Sequence, residues 1–533
     1  MISRPVRLRP LSQQSRLLDA PLPFRYAGGV RYAPLMLGGG FFVVTVLLFA
    51  FGPFDWHISN ATTLYLFLTG CGVALGARYW LAVPSVLRAR AMLRLGLPRA
   101  VGAVGHVDRH HEVALLVRPS PNVGPAHFAL LRPSTLVAVS SAIALLIYLP
   151  TVRTTTGRWI PDVVLGLTDA GAAYQTSKYF NTHGSQAILY ARMLLGPFLI
   201  CIYPVTLFLY SRLSVAARVL GALAIVSAVA LGIAQGTNKT VADLAVYALL
   251  FLALLFVSLP RETGRWQRRL TVLAVAAIGV VGLFFAYFTN SIRSRVETDT
   301  LVAEGGSLEQ DEVAEGGSVE QDEDAPTISA QDIDTAIADN ATFSHADVRE
   351  RNVIYRITPA AIRSGEMYLI SYVTHGYKGL SLAMDHEFTP SFGLGFSPFL
   401  RHNALRVTGD LADEASVVAG TYGGKIVADG WETGLMWSTF FIYPASDVTF
   451  VGTVVLVFMI GCAWSRSWRD ALEGQDTLAI VVFFHLTILV FYLPANNQIF
   501  QNGETAIGFL VVFVAWLARR MRTRQPLSAD SGA

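Results

Sequence analysis

Charged residues and cysteine are both scarce in this 533-residue chain. Asp, Glu, Lys and Arg together make up 15% of the sequence, whereas hydrophobic residues make up 53% and the mean hydropathy is +0.46. Soluble globular proteins carry about 25% charged residues, so this composition excludes an ordinary soluble class. Cys71, Cys201 and Cys462 lie singly in apolar segments, without the spacing of a metal site or a disulfide framework. The sequence therefore predicts an integral membrane protein.

The motifs of nucleotide and redox chemistry are also missing. The chain has no P-loop, no dinucleotide fingerprint and no Gly-x-Ser-x-Gly elbow. His106 and His110 are four residues apart, a spacing that two metal ligands on a helix can use, but no cysteine accompanies them. We interpret them as part of a solvated loop. The prediction is a protein without cofactors, whose chemistry needs neither a metal nor a nucleotide.

Ten apolar segments approach the roughly 20 residues that a membrane span requires. They lie at 33–52, 62–83, 135–150, 186–210, 215–235, 241–259, 270–289, 445–464, 478–494 and 505–518. Arginines cluster in every second connection, whereas the turns at 52–61 and 495–504 contain neither Lys nor Arg. Since short cytoplasmic loops carry the positive excess, this pattern predicts ten spans with both termini in the cytoplasm.

The topology predicts an all-α polytopic membrane protein with one large periplasmic loop. The predicted parts are a cytoplasmic tail at 1–32, seven transmembrane helices within 33–289 with a cytoplasmic loop at 84–134, the periplasmic loop at 290–444, three transmembrane helices within 445–518, and a cytoplasmic tail at 519–533. The connection at 151–185 is interpreted as an interfacial linker. An acidic, glycine-rich tandem repeat occupies 302–324 of the large loop and is predicted to be disordered.

Four cations lie at one predicted depth, close to the outer surface of the membrane. They are Arg192, Lys239, Arg293 and Arg295. Charges at the rim of a membrane are costly and are therefore functional candidates. Cations gathered at this depth suit a lipid-linked diphosphate, because Arg binds phosphate oxygens bidentately and Lys acts as a point charge. The alternative is that each of them only reaches out to the lipid headgroups.

The large loop carries groups suited to proton transfer. His375 has an ordinary pKa near 6.5, which suits a general base at neutral pH. His402 is a weaker candidate, and the carboxylate alternatives are Asp385, Glu387, Asp429, Glu432 and Asp447. A lone loop histidine is more often structural, so the base remains open among these residues, with His375, Asp429 and Glu432 as the first candidates.

Several stretches resemble the bacterial O-antigen polymerases, the Wzy-like polymerases of lipid-linked oligosaccharide repeat units. The resemblance rests on one large outward loop before the last spans, on GTNKTVADLAVYALLFL, and on SYVTHGYKGLSLAM, SFGLGFSP and WSTFFIYPASDVTFVGTVVLVFMIG. The family commonly has a Gly-x-Arg turn where this chain has Lys239, which keeps the charge and loses the bidentate geometry. The resemblance implies an architecture like that of the GT-C polymerases and ligases.

The resemblance also implies a reaction at the outer face of a bacterial inner membrane. A glycan on undecaprenyl diphosphate is the donor, and a hydroxyl of the next lipid-linked repeat unit attacks its anomeric carbon while the diphosphate leaves. Aromatic residues that would line a sugar groove are Tyr372, Tyr377, Tyr422, Trp431 and Trp437. The implied partners are the lipid-linked oligosaccharide, membrane lipids, a chain-length regulator and a flippase, with no nucleic acid. The product would be O-antigen or exopolysaccharide.

Two other functions fit the same sequence. An O-antigen ligase uses the same donor but delivers the glycan to lipid A core. A secondary transporter belongs to a different class, and it would show inverted repeats and broken helices with charge near the midplane. Elongation of a purified repeat unit separates the polymerase from both alternatives.

Overall fold

Helices make up nearly all of the described protein. The computed structural model describes residues 32–82, 132–183, 185–258, 266–303, 346–431, 436–474 and 476–523. Within these residues the one sheet is a two-residue antiparallel ladder between β1 (Phe54–Asp55) and β2 (Asp347–Val348). The predicted class of helical membrane protein therefore holds for the described residues.

The helices fall into three groups along the chain. The first group is α1 Ala33–Phe51, α2 Asn60–Ala82, α3 Pro133–Leu146, α4 Tyr148–Thr156, α5 Val163–Thr168, α6 Ala170–His183, α7 Gln186–Leu199, α8 Ile202–Phe208, α9 Val215–Ala234, α10 Lys239–Ser258 and α11 Trp266–Ala303. The loop helices are α12 Val353–Ile357, α13 Ala360–Thr374, α14 Gly376–Met384, α15 Pro398–Thr408, α16 Glu414–Gly420 and α17 Tyr422–Ala428. The last group is α18 Ile442–Gly474, α19 Thr477–Phe491 and α20 Gly503–Thr523.

Each of the ten predicted spans overlaps a helix, but not every helix is a full span by length and composition. Five stretches in the described residues pass that test, namely Asn60–Arg78, Gln186–Phe208, Val215–Ala234, Thr271–Ile292 and Ile442–Leu472. A sixth is added if α3 and α4, which meet at 43°, form one broken span. The protein thus has several membrane-spanning helices, and the count of ten stays a prediction.

Helix α19 lies at the centre of the bundle. All residues from Thr477 to Val490 are buried, because α1, α8, α10, α18 and α20 surround this helix. A helix that is apolar on every face is stable only in such a position. The Asp476 carboxylate caps its N-terminus by accepting a hydrogen bond from the Leu478 amide at 3.0 Å. This central position brings the C-terminal end of α19 against the site described below.

Glycines allow α2 and α18 to approach backbone to backbone. A Cβ on Gly76 would lie 2.2 Å from the Phe458 carbonyl oxygen, and one on Gly461 would lie 2.5 Å from that of Val73. Both distances are far below van der Waals contact, so any side chain at these two positions would separate the helices. Close packing of α2 fixes the position of α18, and the loop helices come directly before α18 in the chain.

Two turns that the predicted topology assigns to the outer side meet the predicted loop. The Asn352 side-chain amide donates at 2.7 Å to the carbonyl of Phe51, the last residue of α1. The Phe440 amide donates to the Leu493 carbonyl at 2.9 Å, beyond the end of α19. These contacts place the predicted loop at the end of the bundle where α1 and α19 end.

Three boundaries differ from the sequence predictions. The segment 151–185, expected to be an interfacial linker, forms most of α4 together with α5 and α6. Helix α11 continues to Ala303, well into the predicted periplasmic loop, and α20 continues into the predicted tail. A helix does not stop where the apolar run stops, because tertiary packing supplies most of the stability of a helix in a protein. The predicted histidine pair at 106 and 110 and the tandem repeat from residue 304 onward lie outside the described residues.

Candidate functional site

The turn before α10 is held in one conformation by its neighbours. Gly236 has a φ of +59°, and a Cβ there would lie 2.2 Å from the Ala170 carbonyl oxygen. The Thr237 hydroxyl donates to the Gly232 carbonyl at 3.0 Å, and the Tyr287 hydroxyl donates to the Thr237 carbonyl at 3.3 Å. Only glycine fits the left-handed backbone and the close approach at position 236. The turn therefore presents the next residues, Asn238 and Lys239, in a defined position.

Asn238, Lys239 and Asp243 form what we call the α10 polar cluster. Lys239 is the first residue of α10, and Asp243 lies one helical turn further, so both side chains are on the same helix face and interact electrostatically. Asn238 is only 7% exposed, and neither its amide nitrogen nor its amide oxygen has a hydrogen-bond partner in the described protein. The Oδ1 atom of Asp243 is also buried without a partner there. The Asn238 amide, the Lys239 ammonium group and the Asp243 carboxylate are thus gathered at the N-terminal end of an apolar helix.

Aromatic and histidine side chains from three helices surround the α10 polar cluster. The Tyr492 hydroxyl lies beside the Asp243 carboxyl at the end of α19, and His485 on the same helix lies within electrostatic range of Lys239. Tyr247 follows Asp243 by one turn, and its ring centroid is 5.8 Å from that of Tyr203 on α8. The cluster is therefore enclosed by groups that can donate hydrogen bonds.

Tyr203 connects the cluster with a second charged pair. Its buried hydroxyl has no partner in the described protein, and it interacts electrostatically with Asp243 on one side and Glu504 on the other. Glu504, at the start of α20, pairs with Arg192: its Oε2 accepts from the Arg192 Nε at 2.8 Å and lies 2.6 Å from a terminal guanidinium nitrogen. Arg192, Tyr203 and Glu504 line one cavity of about 120 Å³, whose other lining residues are mostly apolar. The structure thus brings two predicted cations, Arg192 and Lys239, into one neighbourhood.

The two cations have different electrostatic surroundings. A carboxylate neutralises Arg192 at hydrogen-bonding distance, and both side chains of that pair are about three-quarters buried. Lys239 forms no ion pair within salt-bridge distance among the described residues, and neither does Asp243. Lys239 is therefore the better placed of the two to attract an incoming anion.

The side chains of the other two predicted cations, Arg293 and Arg295, lie outside the described part of the structure. Their backbones belong to α11, and Ser294 between them is buried. The Ser294 hydroxyl donates to the Asp169 carboxylate at 2.7 Å and accepts from the Gly171 amide at 2.9 Å, which ties α11 to the start of α6. The diphosphate-binding role of Arg293 and Arg295 stays a prediction.

His375, predicted as a candidate base, is buried and fully hydrogen-bonded. It lies at the junction of α13 and α14 and is 1% exposed. One ring nitrogen, Nδ1, donates to the Ser371 carbonyl at 3.0 Å, and the other, Nε2, accepts from the Trp437 amide at 2.8 Å. Burial lowers the pKa of His375 from 6.5 to about 4, so the ring is neutral at physiological pH. With both nitrogens engaged, this geometry favours a positioning role over proton transfer.

Of the two carboxylates predicted as alternative bases, one is described. The Asp429 Oδ2 lies 2.7 Å from the His386 Nε2, and both side chains are partly exposed. His386 follows the C-terminal end of α14, whereas His375 precedes its first residue, so the Asp429 pair lies about 14 Å along the helix from His375. Glu432 lies outside the described residues.

The five predicted sugar-binding aromatics separate into two groups. Tyr377, Tyr422 and Trp431 are buried, and their contacts are internal: the Tyr377 hydroxyl hydrogen-bonds Thr45 at 2.7 Å, Tyr422 packs on Phe450 and Trp431 Nε1 donates to the Trp437 carbonyl at 3.2 Å. Their predicted role as a groove lining is not favoured by these contacts. Tyr372 and Trp437 are partly exposed, and their ring centroids are 4.1 Å apart.

Tyr372 and Trp437 form an aromatic wall that reaches the α10 polar cluster through Tyr492. The Trp437 ring is 6.3 Å from that of Tyr492, which in turn lies beside Asp243. The backbone of Trp437 is fixed by His375 at its amide and by Trp431 at its carbonyl. Two residues on, Thr439 adopts a left-handed backbone with φ of +69°, which is strained for a β-branched residue. A partly exposed aromatic surface thus adjoins the Asp243 carboxylate, one oxygen of which is buried.

Sequence reasoning missed Asn238, Asp243, Tyr492 and Glu504. The available signal was the position of Asp243, which is an acidic residue inside the predicted span at 241–259. Tyr492 and Glu504 are far from α10 in the chain, so their proximity depends on the tertiary structure. In the described residues, no group of three or more His, Cys, Asp or Glu side chains is arranged to hold a metal ion.

Comparisons with known proteins add no name to this site. No protein-family model matches the chain, and neither the curated proteins nor the solved structures contain a match. The α10 polar cluster and the aromatic wall are therefore the features from which a function is inferred.

Proposed function

We propose that the protein polymerises lipid-linked oligosaccharide repeat units at the outer face of a bacterial inner membrane. The α10 polar cluster next to the Tyr372–Trp437 aromatic wall is the observation that carries this proposal. A polyprenyl-diphosphate sugar has an anionic group joined directly to a sugar. The site offers a cation at the first residue of α10 and an aromatic surface that reaches the same cluster through Tyr492 and Asp243. A cation beside an aromatic surface suits both parts of this substrate.

Lys239 binds the diphosphate in this proposal. Its ammonium group stands at the N-terminus of α10, where the helix dipole also favours negative charge. As the bond between the anomeric carbon and the diphosphate breaks, negative charge grows on the leaving oxygen, and a nearby cation stabilises that charge. Arg192 lies close by but is matched by Glu504, so it supports the site as part of an ion pair.

The aromatic wall orients the sugar. Sugar rings present C–H faces that pack on aromatic side chains, and Tyr372 and Trp437 are the two predicted sugar-binding residues with partly exposed rings. His375 and Trp431 act through Trp437, because they hold its backbone amide and carbonyl. Both are therefore positioning residues in this proposal.

Purified protein in nanodiscs, supplied with a polyprenyl-diphosphate-linked repeat unit alone, tests the function. A ladder of glycans that grows by whole repeat units supports the polymerase. No growth with the repeat unit alone, together with transfer to added lipid A core, assigns the ligase reaction instead. No glycan transfer under either condition overturns the proposed function.

Secondary transport is the second candidate, because two features of the structure favour it. The Arg192–Glu504 pair places opposite charges between two membrane helices, and α3 and α4 form a helix pair bent by 43°. Buried charge and broken helices are both common in transporters. Proton- or sodium-driven uptake into proteoliposomes, without chain elongation, would establish this function in place of the polymerase.

A further inference from the structure

The buried polar atoms of the α10 polar cluster lack partners within the described protein. They are both amide atoms of Asn238 and the Oδ1 of Asp243, and the buried Tyr203 hydroxyl next to Asp243 shares this property. A buried polar group without a partner costs about 1–3 kcal/mol, so native proteins satisfy such groups with water or a ligand. Four such atoms in one small region form a site for water or for a ligand that both donates and accepts hydrogen bonds.

The charges restrict the chemistry of that ligand. Lys239 attracts an anionic group, whereas the Asp243 carboxylate, one helical turn along α10 and next to Tyr492, accepts a hydrogen bond and repels anions. A simple anion satisfies only the first of these residues, and a simple cation only the second. A phosphate ester next to a sugar hydroxyl satisfies both, because the ester oxygens accept from Lys239 and the hydroxyl donates to Asp243.

Three other residues are less suitable as the base for such a hydroxyl. His375 has both ring nitrogens engaged, one with a carbonyl and one with a backbone amide. Glu504 accepts from the Arg192 guanidinium at 2.6 and 2.8 Å. Asp429 is paired with His386 at the opposite end of α14 from the aromatic wall.

We propose that Asp243 is the general base that activates the acceptor hydroxyl, and that Asn238 positions the two reacting groups beside it. This inference rests on the proposed function and assigns the base of that reaction to a residue in the second turn of α10. Tyr492 and Tyr203 face Asp243 from α19 and α8, and Lys239 and Tyr247 flank it on its own helix. His485 faces Lys239 from α19.

The proposed step is balanced within the two substrates and Asp243. The acceptor hydroxyl transfers its proton to the Asp243 carboxylate while its oxygen forms a bond to the anomeric carbon of the donor. The bond from that carbon to the diphosphate oxygen breaks, and the diphosphate leaves with the electron pair and the charge that Lys239 stabilises. Asp243 then releases the proton to water or to the departing diphosphate. No oxidant, reductant or metal ion takes part.

Asp243→Asn tests the base, because the amide has the same shape and cannot take the proton. We expect elongation per binding-competent molecule to fall about 100-fold to 10,000-fold, while binding of the lipid-linked donor changes less than about threefold. Donor binding is measured with a labelled polyprenyl-diphosphate repeat unit, and elongation with the same lipid in a single turnover. Asp413→Asn is the matched control, since Asp413 is exposed in a loop 3₁₀ turn.

Chemical rescue separates a base from a residue that only supports the fold. In Asp243→Ala, added formate or azide should restore elongation about tenfold or more in a concentration-dependent way, because a small anion can accept the proton in the vacated space. Asp413→Ala should show no response. Rates are taken per binding-competent molecule, so a smaller folded fraction does not obscure the result.

Several outcomes would overturn the inference while the proposed function remains. An Asp243→Asn variant whose elongation rate is within about twofold of that of the wild type would overturn it. It would also be overturned if Asp243→Asn lost both donor binding and elongation, or if formate and azide did not restore elongation in Asp243→Ala. Wild-type protein that transfers no glycan at all would instead refute the proposed function itself.

Discussion

Polar groups in the outward loop and polar groups at the start of α10 are treated differently by the fold. In the loop, His375 uses both ring nitrogens. At the start of α18, one oxygen of Asp447 accepts from the Ser391 hydroxyl at 2.6 Å and the Gly393 amide at 2.7 Å, whereas its other oxygen is buried without a partner in the described protein, as is one oxygen of Asp243. Asn238 differs from both carboxylates, because both of its amide atoms are buried without partners there. A side chain with no satisfied polar atom, such as that of Asn238, therefore marks a functional candidate more sharply than a single unpaired oxygen does.

The largest predicted effect is on Lys239. Lys239→Ala should lower elongation about 1,000-fold, or ~4 kcal/mol of transition-state stabilisation, because the diphosphate loses its nearest cation. The melting temperature should stay within a few degrees, since Lys239 makes no hydrogen bond that holds the fold in the described residues. Lys178→Ala is the matched control, because Lys178 is an exposed lysine on the same predicted side. Normal elongation in Lys239→Ala would remove the distinction between the two regions.

Asp447 should show the opposite behaviour. Asp447→Ala removes the acceptor of three hydrogen bonds, from the Ser391 hydroxyl and from the Gly393 and Gly395 amides. We expect the free energy of unfolding to fall by about 3 kcal/mol. Elongation per folded molecule should change little. Unfolding in denaturant, with Asp413→Ala as an exposed control, measures the first effect; a stability equal to that of the wild type would contradict it.

The third prediction concerns the pH dependence of the loop. Burial lowers the pKa of His375 to about 4, below its unfolded value of 6.5, so the unfolded state binds more protons between these two values. The stability that neutral His375 provides is complete above pH 6.5 and is lost as the pH falls toward 4. Between pH 7 and pH 5 this loss is about 2 kcal/mol. His375→Gln should therefore show a weaker dependence of stability on pH; an unchanged slope would assign the titration to another group.

The smallest predicted effect is the coupling between Arg192 and Glu504. Either single variant, Arg192→Met or Glu504→Gln, leaves one partly buried charge without its partner. The double variant should therefore be more stable than the sum of the two single losses predicts, by about 1 kcal/mol. A double-mutant cycle from thermal unfolding in detergent measures this coupling. Strict additivity would show that the ion pair contributes nothing to stability. Arg192 would then be a candidate, like Lys239, for binding the diphosphate.

Part of the candidate site was predictable from residue type and position. Lys239 and Arg192 were found because charges near a membrane rim are rare, and both lie in the observed neighbourhood. The aromatic prediction included Tyr372 and Trp437 but also Tyr377 and Trp431, which are buried. Periodicity does not reveal whether a loop aromatic faces a groove or the interior, because that depends on which helix covers it.

His375 illustrates a second limit. Its sequence context, THGYKG, suggested an accessible loop histidine, yet the chain folds so that the Trp437 amide, 62 residues later, reaches its Nε2. A contact between such distant residues has no local signature. The same reason hid Asp243, whose partners come from α8 and α19.

The sequence by itself determined the membrane class and the ten apolar segments that overlap helices, because burial of apolar runs in lipid depends on composition and length. The tertiary structure decided which polar groups are satisfied and which remain available. That outcome depends on the packing of helices far apart in the chain, such as α8, α10 and α19, whose relative positions no local pattern encodes. The physical reason is that a hydrogen bond requires two groups within about 3 Å, and only the folded chain brings them together.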